Sequence, residues 1–392
     1  MSERHARLVR QQAGHEHAKV SFVELFFDLV FVFAITQLSH TLLHHFTLAG
    51  VAEAGLILLA VWWVWIYTTW VTNWLDPDKM PVRLMLFVLM LAGLVLSTSI
   101  PEAFEDKGLA FAIAYASMQV GRSVFAAFAL RHHSASRYRN FLRISSWLAV
   151  AAVFWIIGGL LHHEARYAAW LIALGIEYAA PAAGFWTPGL GRTQSAEWDV
   201  EGGHMAERCG LFIIIALGES VLITGATFAD LPANAPNVLA FLAAFTGSVA
   251  MWAVYFNVGS ERASHLIAAS EDPGRIARLA YTYMHIPIVA GIVLAAAGDQ
   301  FALAGDTGHQ EHPIAYAIVG GPALFLAGVT LFKRVTAGWW PLSHLVGLAA
   351  FIVLGIAAAV LTPLQILSLA SLVLVAVSVW EHLSLRSGAG AQ

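Results

Sequence analysis

The chain has 392 residues, 59% of them hydrophobic and 12% charged, with a formal net charge of −4 and a mean hydropathy of +0.70. A soluble protein carries about twice that charged fraction, so a water-soluble enzyme is excluded, and the balance of charge offers no basic footprint for nucleic acid. The single cysteine, Cys209, excludes an internal disulfide framework and any cysteine-rich zinc site.

Apolar residues come in blocks of about 18–25 separated by short polar breaks, the length needed to cross a bilayer. In chain order the blocks predict spans over 22–46, 51–75, 82–101, 107–131, 141–162, 165–188, 208–229, 237–260, 276–298, 312–333, 339–361 and 363–384. The expected fold class is all-α: a polytopic transmembrane helical bundle of about 12 spans. Its organisation is a polar tail (1–20), a first six-helix half (21–188), a linker (189–207), a second half (208–384) and a short tail (385–392). The polar start and the length of the first apolar block argue against a cleavable signal peptide. The stretch 299–311, rich in Asp, Gly and His, is expected to be an external loop.

Of the 21 Lys and Arg residues, all but Lys107, Arg122 and Arg166 fall before span 1 or after every second span. By the positive-inside rule both termini are then cytoplasmic, and the span number is even. The halves can also be laid over each other: Leu25-Phe26 on Leu211-Phe212, Trp62 on Trp252, Ala92-Gly93 on Ala290-Gly291, Ile113 to Ala116 on Ile314 to Ala317, and Ser146, Phe154 and Gly158 on Ser343, Phe351 and Gly355. Spans 6 and 12 show no match. Duplication would give two parallel six-helix repeats, an arrangement used by many transporters, while chance likeness among Ala- and Leu-rich helices is the plainer reading.

Charges inside the spans are the main functional signal, because lipid tolerates them only when they face protein, a cavity or a countercharge. Glu24 and Asp28 are at i and i+4 on span 1, and Asp28 lies roughly 13 Å along the helix from Lys19. Arg122 on span 4 lies at a similar depth, which makes Asp28 and Glu24 the first candidates for its countercharge. Such a group is either structural glue or a gate that breaks and reforms. Span 7 opens with a stripe of His204, Arg208 and Glu219; Glu219 falls near the bilayer midplane and is the leading ion, proton or substrate residue. Glu177 in span 6 follows the same logic. His285, two residues before Pro287, sits where a proline kink frees carbonyls, although a hydrogen-bonded core histidine is the plainer reading. His344 is a weaker version of the same case.

Among the 17 histidines, His40, His44, His45, His162, His163, His309 and His312 fall at the expected external face. His40 and His44 have the i, i+4 spacing of a metal-ligand pair, so haem or a transition metal is the alternative cofactor reading; no cofactor is the main expectation. His15 and His17 lie in the polar tail. The Trp62, Trp63, Trp65 and the Trp339, Trp340 clusters could suggest a ligand cage, but interfacial anchoring suits the tryptophans at span ends better. No phosphate loop, nucleophile elbow or zinc-helix motif is present.

Three stretches, VELFFDLVFVFAITQLSH (Val23 to His40), ERCGLFIIIALGES (Glu207 to Ser220) and AYTYMHIPIVAGIVLAAAG (Ala280 to Gly298), resemble the bacterial low-temperature-requirement A (LtrA) membrane proteins. The resemblance covers most of the chain. It implies a multi-pass inner-membrane protein associated with growth in the cold, and it draws attention to Glu24, Asp28, Gln37, Glu207, Arg208, Gly218, Glu219, Tyr281, His285 and Pro287. It supplies no settled activity. The leading functional expectation is a secondary transporter of a small solute or ion, proton-coupled through Glu219, Asp28 and Glu24, with Arg122 as countercharge. A histidine-based oxidoreductase and a non-catalytic membrane sensor are the alternatives. The bilayer and a small solute are the expected partners, and homo-oligomerisation stays open.

Overall fold

The computed structural model describes residues 8–10, 19–194, 198, 200–256, 272–304 and 312–389. Twelve long helices follow one another in these residues, with no strand among them. They are α1 (Phe22–His44), α2 (Leu48–Trp74), α3 (Met80–Ser99), α4 (Gly108–Leu130), α5 (Ala135–Leu160), α6 (His163–Ala179), α7 (Gly202–Ala229), α8 (Ala235–Phe256), α9 (Pro273–Ala304), α10 (His312–Ala337), α11 (Leu342–Ala357) and α12 (Pro363–Ala389). All but α6 are long and apolar enough to cross a membrane. Large apolar side chains such as Leu91, Val150, Leu222 and Ile352 stand on the outer faces, a surface that only lipid covers without penalty.

Polar residues at the breaks set the helix ends. Ser21 and Glu24 form a reciprocal capping box at the start of α1: Glu24 Oε2 accepts from the Ser21 amide (2.9 Å), and Ser21 Oγ accepts from the Glu24 amide (3.4 Å). Thr362 and Gln365 repeat the device at α12. Ser134 caps α5 and Asn234 caps α8 through the amides of Arg137 and Asn237.

The chain divides into two compact units. The first comprises residues 1–41, 48–208 and 271–275, the second 42–47, 209–270 and 276–392. Within the first, α4 packs on α3, α5 and α2, while α6 packs on α5 and α2. Within the second, α10 packs on α9, α11 and α8, while α12 packs on α11 and α8, so these pairings correspond when six is added to each helix number. The α9 and α10 backbones meet through glycine: a Cβ at Gly291 would stand 2.3 Å from the Phe325 amide nitrogen, and one at Gly321 would stand 2.3 Å from that of Ala295. Small residues at such crossings let apolar helices reach van der Waals contact along their backbones.

Two expectations need correction, and the tryptophan clusters separate. Span 6 was read to residue 188, but α6 stops at Ala179 because Pro181 has no amide to continue the ladder. The chain then turns through Gly184 (φ +61) and Phe185 (φ +48) and is tied to α5 by the Arg143 guanidinium on the Leu190 carbonyl. The external loop was placed from residue 299, but α9 runs to Ala304 and buries Asp299. A single carboxylate does not end a helix in which good helix formers, Gln300 to Ala304, follow it. The cluster Trp62, Trp63 and Trp65 is fully buried in the middle of α2, because that helix is covered by protein on nearly all sides; Trp339 and Trp340 are half exposed beyond the end of α10.

The kink expected near Pro287 takes a defined form. Residues Arg278–Tyr283 are π-helical between the short α-helical turn Pro273–Ala277 and the long segment His285–Ala304 of α9. Arg166, an exception to the charge rule, is also explained. Its guanidinium collects the Gly158, Leu161, Ala103 and Glu105 carbonyls, closing chain ends that have no helical partner.

Candidate functional site

In the first unit, α1 and the opening turns of α7 bring Glu24, Asp28, His204 and Arg208 together, with all four side chains 0–2% exposed. Arg208 grips Asp28 with both terminal nitrogens, Nη1 to Oδ2 at 2.6 Å and Nη2 to Oδ1 at 2.8 Å, and also donates to the Glu24 carbonyl at 3.2 Å. This bidentate fork is the strongest pairing available to a carboxylate. The Trp65 indole donates to Asp28 Oδ1 at 2.9 Å, and its ring lies 5.3 Å from the Arg208 guanidinium carbon.

Glu24 divides its oxygens. Oε2 serves the capping box and accepts from the Ser21 hydroxyl and from Arg10 Nη2 (3.3 Å); Oε1 meets His204 Nε2 at 2.9 Å. The other ring nitrogen of His204 is 3.2 Å from Asn73 Nδ2, an obligate donor. Nδ1 therefore accepts, Nε2 carries the proton, and a neutral imidazole donates to Glu24. Asn73 also bonds the Glu201 backbone in both directions, while Glu201 Oε2 caps the His204 amide. Two guanidinium groups thus face two carboxylates, bridged by an uncharged imidazole. Glu207 lies just outside this group, where its carboxylate accepts from the Val20 amide (3.1 Å).

Arg122 is not the countercharge of this pair. Its Nη1 donates to the Val64 carbonyl and the Thr68 hydroxyl, both at 3.0 Å, and its Nη2 donates to Gln119 Oε1. Gln119 Nε2 donates to the Tyr115 hydroxyl (3.0 Å), which donates to Glu177. The line joins the Arg122 guanidinium to the Glu177 carboxyl through two neutral side chains. Depth along two helices fixes only axial positions, whereas pairing depends on which faces meet, and Arg208 occupies the face that Asp28 presents.

In the second unit, His285 Nδ1 is 2.9 Å from the Ala280 carbonyl within the π-helical segment, and Nε2 is 2.8 Å from the Tyr255 hydroxyl. The backbone irregularity thus supplies a carbonyl that helps hold this buried ring. Lys333 is buried and paired with Glu381 at 2.6 and 2.8 Å, with His344 Nε2 at 3.2 Å from its amine. Glu219 is buried on α7. Beside it in sequence, the Ser220 hydroxyl lies 3.1 Å from Ser248 Oγ and donates to Asp299 Oδ2 at 3.3 Å.

The structure thus unites Glu24, Asp28, His204 and Arg208, gives Arg122 and Glu177 a line of their own, and puts His285 and Glu219 in the second unit. His40 and His44 are both exposed on the last turns of α1, and His15, His17 and His309 lie outside the described residues. Among the described residues no three His, Cys, Asp or Glu side chains converge as a metal-binding group. Sequence reading missed Arg10, Trp65, Asn73, Lys333, Glu381 and Asp299. The Ser21-x-x-Glu24 capping signature was available in it; the inward turn of Lys333 beside the exposed Arg334 was not.

The family described as "Bacterial low temperature requirement A protein (LtrA)" matches residues 19–379. An uncharacterized protein of Rhizobium meliloti (strain 1021) is 42% identical over 388 residues, covering 98% of this chain and 94% of the relative. No solved structure matches. With its apolar helices and a family match over nearly the whole chain, this protein is a multi-pass integral membrane member of the LtrA family.

Proposed function

We propose that this protein is a secondary transporter of a small solute or ion, coupled to protons through carboxylates buried in its helices and set in the bacterial inner membrane with both termini cytoplasmic. The observation that supports it is the Glu24–His204 contact inside the Asp28–Arg208 cluster. An imidazole that donates to a carboxylate at 2.9 Å can, once a proton arrives at Nδ1 in place of the Asn73 amide, pass its Nε2 proton to Glu24 and remain neutral, and intramembrane acid–histidine lines are the usual material of proton relays. The family's low-temperature requirement comes to this chain as part of the same proposal. The full compensation of Asp28 by Arg208 favours a second reading, a lock that holds α1 to α7 without turnover.

The two readings separate in one assay. The full chain is reconstituted in liposomes loaded with a pH-reporting dye and challenged with alkali cations and small organic solutes. Transport predicts proton flux with at least one of these, slowed about tenfold or more in Glu24→Gln, equivalent to a barrier increase of about 1.4 kcal/mol. Glutamine keeps the capping box, so the change removes charge while leaving the helix start intact. No flux with any solute, together with a Glu24→Gln protein that matches wild type in every respect, would sink the transporter and leave the lock.

A further inference from the structure

Asp299 differs from the acids above in its company. Among the described residues no ion pair includes it, and its hydrogen-bond partner is the Ser220 hydroxyl. A carboxyl at such depth is kept neutral by a proton, a basic side chain or a bound cation. Through the Ser220 hydroxyl, oxygens of three helices meet: Ser220 on α7 lies against Ser248 on α8 and against Asp299 on α9. A fourth lies ready. Thr224 is one turn beyond Ser220 on the same face, is 2% exposed, and its buried Oγ1 has no hydrogen-bond partner. Thr68, Thr246 and Thr330 in other helices donate to the carbonyl four residues back, but Thr224 leaves its hydroxyl unused.

We propose that Asp299, Ser220, Ser248 and Thr224 form a binding site for a monovalent alkali cation of the size of sodium. The donor set is oxygen only, which suits hard cations and not the transition metals that prefer nitrogen or sulfur. One carboxylate with three neutral hydroxyls matches a single positive charge, whereas divalent sites collect more acid. Oxygen separations of 3.1 and 3.3 Å are those of neighbouring ligands around an ion held at about 2.3–2.6 Å, the shell of calcium, and sodium is the alkali ion of that radius. Binding replaces the Ser220 donation to Asp299 with lone pairs of both groups directed at the ion. This rests on the transport reading and deepens it by naming the cation moved against protons, but it is tested at equilibrium, so absence of flux leaves it standing.

The test is thermal unfolding of the full purified chain, followed by tryptophan fluorescence in sodium, lithium, potassium or choline chloride at equal ionic strength. The expected result is a midpoint that rises with the logarithm of sodium concentration and does not move with potassium or choline. Asp299→Asn abolishes the rise, while Ser248→Ala and Thr224→Val each shift it to about tenfold higher sodium. Equal midpoints in sodium and choline overturn the proposal, as does an unaltered sodium response in Asp299→Asn. A response to pH alone that Asp299→Asn removes assigns a proton to the site and overturns the alkali cation. Should Asp299→Asn not fold, the near-isosteric Thr224→Val decides, and an unchanged sodium response in it overturns the site.

Discussion

Both units bury acids in apolar helices, yet they neutralise them differently. In the first, Asp28 is gripped by Arg208 and Glu24 meets His204 and Arg10, so both acids of that cluster are answered by guanidinium groups, while Glu177 is tied through Tyr115 and Gln119 to Arg122. In the second, Glu381 is answered by Lys333, but Asp299 meets the Ser220 hydroxyl. An acid at membrane depth therefore does not announce its role by position. Its partner separates a clasp that holds helices from a place where an exchangeable ion can sit.

The largest effect that would sharpen this contrast is at Arg208. Arg208→Met strips Asp28 of its countercharge within a fully buried cluster and is expected to cost about 3–5 kcal/mol, read as the shift of a denaturant unfolding curve in detergent. Adding Asp28→Leu should recover most of that loss, because the penalty lies in the unpaired charge. If the single and double variants are equally unstable, the cluster is not a compensated pair and the contrast between the units breaks. The smallest effect is at Asp299. In sodium-free medium Asp299 holds a proton, so Asp299→Asn exchanges one neutral side chain for another of nearly the same shape, and its unfolding curve should fall within about 0.5 kcal/mol of wild type. A loss as large as that at Arg208 would mean Asp299 is also a clasp.

Much of this architecture was legible in the sequence because apolar block length sets helix number and basic residues mark alternate breaks. Partners were less legible. Arg122 and Asp28 lie at matching depths, but depth is one coordinate, and the azimuth that turns Asp28 to Arg208 is decided by how α1, α2 and α7 pack. Glu24 is a charge within an apolar block and also the N3 member of a capping box, a signal present in Ser21 three residues before it. Asp299 was lost to a loop because a polar residue after an alanine run looks like the end of a span. The helix continues since an acid that finds hydroxyl partners can stay inside.

The claim that partners decide the role of these acids is tested most directly by proton release. Sodium chloride is added to the purified protein in weakly buffered detergent solution, and the pH change is followed with a dye. If Asp299 exchanges its proton for a cation while Asp28 stays clasped, wild type releases on the order of one proton per chain and Asp299→Asn releases none. Equal release from the two proteins, or none from either, would contradict the account.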